Sequence, residues 1–168
     1  MLVLRKACVF THEFPDDSVR EPNSKYISTP AGRNVALHIK AEAESRQLQV
    51  MEISLDHEHE SWDFWVESAH PGFLECKVQR FECSILWIDF RMSIGQRLKC
   101  MFRLQECCGL LEGFCGMIEA DGSFKDLIWT DGERIGEAEN AVISRHATRV
   151  AREQAPERRK RRRPEGPA

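Results

Sequence analysis

The sequence predicts an α+β fold: a two-layer sandwich in which a mainly antiparallel sheet of about five strands is packed by two helices, followed by a C-terminal helix and a basic tail. Two long segments repeat apolar residues every three to four positions, as a helix with one buried stripe requires. Several shorter segments alternate apolar and polar residues at period two, as half-buried strands do. The breaks between neighbouring strand segments are too short for a crossover helix, so antiparallel pairing follows. The expected organisation is an N-terminal strand or arm at 1–28, an α+β core at 29–132, a C-terminal helix at 133–155 and a disordered tail at 156–168.

The first ten residues have the composition of a strand. Thr11 to Thr29 is rich in Pro, Asp, Asn and Ser, without a sustained period, and reads as a loop or arm. Thr29 before Pro30 is a helix start, because a threonine oxygen caps free backbone N–H groups and a proline at the first position wastes none. That helix is predicted from Pro30 to Gln47, with Val35, Ala36, Ile39 and Ala43 on its apolar face. Met51, Ile53 and Leu55 then alternate with Glu52 and Ser54. Further strands are expected at Trp62 to Glu67, Phe73 to Phe81 and Cys83 to Phe90, the first two divided by the turn-forming His70, Pro71 and Gly72. The main core helix is predicted over Ser93 to Glu119, with Leu98, Met101, Cys108, Leu111, Cys115 and Ile118 along one stripe. Gly109, Gly113 and Gly116 each weaken it by roughly 1 kcal/mol, so a bend or a break is expected there. Phe124 to Thr130 reads as the last strand, and Glu133 to Ala151 as a weakly amphipathic final helix with an exposed aspect.

A chain of 168 residues is enough for one hydrophobic core, and 42% hydrophobic with 30% charged residues is globular composition. No apolar run approaches the roughly 20 residues that cross a bilayer, and Arg5 with Lys6 interrupts the apolar start where a signal core would lie. A cytoplasmic protein that does not engage a membrane is the expectation. The seven cysteines, an odd number with no Cys-x-x-Cys spacing, read as reduced, buried side chains. The net charge of −3 is unevenly spread: residues 157–168 carry six basic and two acidic side chains, leaving −7 on the other 156. Such a body attracts cationic partners, whereas the tail attracts anions.

Four clusters invite a chemical reading. Asp56, His57, Glu58, His59 and Glu60 form a row of potential metal ligands, with His57 and His59 on one side if the strand continues, but no distant third ligand completes a site. No cofactor is expected. His12, Glu13, Asp16 and Asp17 could do acid–base work or simply make a turn. The alternation from Trp62 to Val66 turns Trp65 away from its neighbours, which makes it either a contact residue for a protein partner or a residue covered by another element. Arg158, Arg159, Lys160, Arg161, Arg162 and Arg163 form a basic run able to neutralise phosphates, without aromatics for stacking on bases. No nucleophile elbow, zincin motif or phosphate-cradling glycine loop is present, so an enzyme is not expected.

The helix start at Ser28 to Arg33, the Trp62–Val66 strand and the Asp126–Thr130 ending together resemble small bacterial proteins of no assigned activity, over about residues 10 to 132. In layout the chain is also similar to immunity proteins of toxin systems and to type III secretion chaperones. That resemblance implies binding of a protein partner rather than catalysis, and it carries over no site residue. The leading expectation is a non-enzymatic protein-binding domain. The alternative is a nucleic-acid-associated protein acting through the tail.

Overall fold

The computed structural model describes residues 3–20, 27–67, 72–92 and 104–161. In chain order these form β1 (Val3–His12), β2 (Val19–Arg20), β3 (Ile27–Thr29), α1 (Arg33–Ser45), β4 (Gln49–Val50), β5 (Ser54–Asp56), β6 (Ser61–Glu67), β7 (Phe73–Arg80), β8 (Ser84–Arg91), α2 (Leu104–Ala120), β9 (Phe124–Thr130) and α3 (Ile135–Arg161). Seven strands make one antiparallel sheet in the order β4, β6, β7, β8, β1, β9, with β5 also pairing β6, and β2 and β3 form a separate ribbon.

The architecture is α+β, but the sheet has seven strands rather than five. One added strand is β1, which lies inside the sheet between β8 and β9. Another comes from the stretch around Met51, where the expected single strand is two short pieces. Both border β6, and Met51 to Ile53 between them lies outside the strands. A short, interrupted border of this kind leaves little exposed edge for unwanted pairing.

The inward side chains of β6, β7, β8 and β1 meet α1 and α2. Phe64, Val66, Leu74, Cys76, Val78, Leu86, Ile88, Phe90, Cys8 and Phe10 close on Val35, Ile39, Phe114 and Ile118 in one continuous core. The opposite face is covered only in part. There α3 lays Ala138 and Val142 on Val9, Cys83 and Ile85, so the molecule departs from a two-layer sandwich by carrying a third element on the second face. Gly132, at φ 97°, brings the chain so close to Trp87 that a Cβ would lie 2.8 Å from its ring. That turn sets the start of α3.

Helix α1 begins at Arg33 rather than Pro30. Thr29 is engaged in β3 opposite Val19, and the residue before the helix, Gly32, has φ 112° and supplies no side-chain cap. Asp17 caps the helix from the preceding loop, accepting from the N–H groups of Gly32 at 2.7 Å and Asn34 at 2.5 Å. Within α2, Gly109, Gly113 and Gly116 cause no break, and residues 93–103 of the expected helix lie outside the described residues. Helix α3 outlasts its expected end and includes the backbone of Arg158 to Arg161, with Pro156 inside the helix. Among the described residues Cys8, Cys76, Cys83 and Cys115 are free and buried, and no helix is long and apolar enough to cross a membrane.

Candidate functional site

Beyond the cover of α3, the outer face of β6, β7, β8 and β1 is open. Its side chains stand in rows fixed by strand register: Trp65 is opposite Glu75, Glu75 opposite Asp89, and Asp89 opposite Arg5. The neighbouring rows are Glu67, Phe73 and Arg91 on one side, and Asp63, Lys77 and Trp87 on the other. Period-two alternation alone places all of them on this face, because their neighbours in sequence fill the core.

Charge is densely paired across the rows. Arg5 clasps Asp89 through two hydrogen bonds, at 2.8 and 2.9 Å, which raises the guanidinium pKa. Arg91 Nη2 lies 2.5 Å from Glu75 Oε2. Lys77 donates to Asp63 at 2.7 Å and to Asp56 at 3.3 Å. Burial works to lower the Lys77 ammonium pKa, but these bonds outweigh it and the pKa is raised. Trp87 Nε1 donates to Gln79 at 2.9 Å, and Arg5 lies over the Trp87 ring at 5.7 Å. Arg5, His59, Glu75, Lys77, Gln79, Trp87 and Asp89 line a recess of about 320 Å³.

A second recess, of about 340 Å³, opens toward the β4 border and is lined by Met51, Trp65, Glu67, Phe73, Glu75 and Arg91. The sequence singled out Trp65, and its ring does face outward, 39% exposed, while Trp62 on the core side is 8% exposed. Met51 beside it is 47% exposed, and its N–H donates to the Trp65 carbonyl at 3.0 Å. Glu67 has no ion-pair partner among the described residues. The recess therefore combines aromatic and thioether surface with one unpaired carboxylate. Chemically it offers contact area and negative charge, without a nucleophile.

Of the remaining sequence candidates His59 borders the first recess, and the others sit elsewhere. His57 and His59 lie in the exposed turn between β5 and β6. Asp56 organises that turn, accepting from the N–H groups of Glu58 and His59 and from His59 Nδ1 at 2.7 Å. The His59 bond leads in holding the Asp56 pKa down at about 2. Among the described residues no three or more His, Cys, Asp or Glu side chains converge as metal ligands.

The N-terminal cluster is dispersed. Glu13 pairs with Lys125, Asp16 accepts from the Ser18 N–H, and Asp17 caps α1. His12 Nδ1 accepts from the Phe14 N–H at 3.0 Å, so its proton resides on Nε2 and points to Ser84 Oγ at 2.8 Å. In that tautomer the ring cannot take a proton from Ser84, which leaves the pair without the arrangement of a serine nucleophile and its base. Of the basic run, Arg158 to Arg161 continue α3, while Arg162 and Arg163 lie outside the described residues.

One constellation has no local signal in the sequence. Asp126, in the middle of β9, adopts φ 58° beside a register shift opposite Val9 to Thr11. Its carboxylate accepts from Thr11 Oγ1 at 2.8 Å and from Arg149 Nε and Nη2 at 3.2 Å each, tying α3 to the sheet. Burial works to raise the Asp126 pKa, but these donors outweigh it and hold it down. In comparisons with known proteins, no family model, curated sequence or solved structure matches the chain.

Proposed function

We propose that this is a non-enzymatic, cytoplasmic protein-binding domain, used as an immunity protein, chaperone or adaptor is used, and that its open sheet face takes a basic segment of a partner protein. The observation that carries this reading is Trp65: a large aromatic turned out of a well-packed sheet, beside exposed Met51 and flanked by Glu67 and Glu75. Tryptophan in a shallow recess is the residue type that most often anchors an interface, since it buries a large rigid area at small entropic cost. The charge supports a cationic occupant. Residues 1–143 carry a net charge of −9, which speeds encounter with a basic partner and does so most strongly at low salt.

The test is selection from a phage-displayed random peptide library on immobilised full-length protein, after nuclease treatment, in parallel with the Trp65→Ala and Glu67→Lys variants. Enrichment of peptides containing Arg or Lys on the wild type, lost on both variants, is the expected result. Enrichment that survives both substitutions, or that favours acidic peptides, contradicts the proposal.

A further inference from the structure

Past Ile143 the last helix stays tied to β9 through Arg149 and Asp126 but changes character. Apart from half-buried Arg149 and Val150, its side chains from Ser144 to Gln154 are exposed. Residues 144–163 hold nine basic and two acidic side chains, a net charge of +7 attached to a body of opposite sign. Packing does not explain such a segment, because a helix that is polar on all sides has no apolar stripe to bury.

Three of the arginines share one side. Arg145, Arg149 and Arg152 follow the i, i+4, i+7 spacing of a single stripe. With Asp126, Ser144, Thr148 and Glu153 the three arginines line a groove of about 440 Å³ between β9 and α3. Arg149 is committed to Asp126 and Glu153, whereas Arg145 and Arg152 have no ion-pair partner among the described residues. The clamp through Asp126 gives the stripe a fixed bearing on the folded body.

We propose that this part of α3 is a binding surface for the phosphate backbone of double-stranded nucleic acid. Guanidinium groups repeated along about 10 Å of helix, from Arg145 to Arg152 at 1.5 Å per residue, suit neighbouring phosphates and release their counterions on contact. Between Ser144 and Gln154 the apolar side chains are Ala147, Val150 and Ala151. Without aromatics the helix cannot stack unpaired bases, which favours a duplex over a single strand. Without leucine or aromatic residues it has no wedge to enter a lipid surface. The acidic body repels phosphate, so contact is confined to the helix. Recognition is therefore of backbone and not of base sequence.

The test is fluorescence-anisotropy titration of the full-length protein with a labelled DNA duplex, its sequence-scrambled counterpart, an RNA duplex and polyglutamate, over a range of salt. Wild type is expected to bind both DNA duplexes equally, with affinity falling linearly on a log–log plot against salt. The Arg145→Gln/Arg152→Gln double variant is expected to lose at least tenfold in affinity and to show a salt slope shallower by about 2. An RNA preference identifies which nucleic acid is the natural one and leaves the backbone mode supported. Binding by the double variant within twofold of wild type with an unchanged slope, or tighter binding of polyglutamate than of either nucleic acid, overturns the proposal.

Discussion

The carboxylate of Asp17 receives the N–H of Gly32 at 2.7 Å, across 15 residues of sequence, and so caps α1 from a loop that has no regular structure of its own. Gly32 is left-handed and has no side chain with which to cap, so the helix depends on this distant oxygen for its first free N–H groups. Asp17→Ala is expected to destabilise the fold by about 1–2 kcal/mol in urea denaturation, and Asp17→Asn by less. A change below a few tenths of a kcal/mol for the alanine variant contradicts the role of the loop as a cap.

Asp126 joins a left-handed backbone to the anchoring of α3. Asp126→Ala loses the bonds from Thr11 and Arg149 and leaves alanine in a conformation it disfavours, an expected cost of about 2–3 kcal/mol. Asp126→Asn retains tolerance for that conformation and a bond from Thr11, and is expected to cost about 1 kcal/mol. Equal effects of the two substitutions in chemical denaturation would show that the backbone conformation plays no part.

His12 is held neutral. Burial first, and then nearby Arg80, lower its pKa from 6.5 to about 4, against a smaller opposing effect of Asp17. Below pH 6.5 the unfolded chain binds a proton that the folded chain refuses until about pH 4. The stabilisation is therefore complete above pH 6.5 and is lost as the pH falls to about 4. His12→Gln is expected to flatten this window by about 1–2 kcal/mol, a value reduced for the partial exposure of the ring. Parallel stability profiles for the two proteins from pH 7 to 4 would contradict it.

Trp62 and Trp65, three residues apart on opposite faces, are expected to respond oppositely to truncation. Trp62 is buried among core residues and donates to the Pro30 carbonyl at 3.0 Å, so Trp62→Ala is expected to cost about 3–5 kcal/mol. Trp65→Ala is expected to lie within about 1 kcal/mol of wild type in thermal unfolding, because the ring is part of the surface.

The strands that alternate strictly were legible in the sequence. Leu74, Cys76 and Val78 fixed the packed face of β7, and the run from Trp62 to Val66 turned Trp65 outward, as found. The start of α1 was not legible, because Thr29 satisfies local capping rules while tertiary pairing draws it into β3 and leaves the cap to Asp17. Nor was the central place of β1. A strand paired on both edges and covered on both faces has no alternation to announce it, as Ala7, Cys8, Val9 and Phe10, all buried, illustrate. The rows of the open face needed register as well as period, since Arg5 and Asp89 meet across 84 residues. Asp126 and Arg149 are likewise paired by the fold alone.

The central claim is that Trp65 anchors a basic partner segment on the open face. Calorimetric titration of a basic peptide selected on the wild type into wild-type and Trp65→Ala proteins tests it most directly. The predicted result is at least about 30-fold weaker binding by the variant, the loss of an interface anchor, with its melting transition intact. Equal affinity for the two proteins would contradict the account.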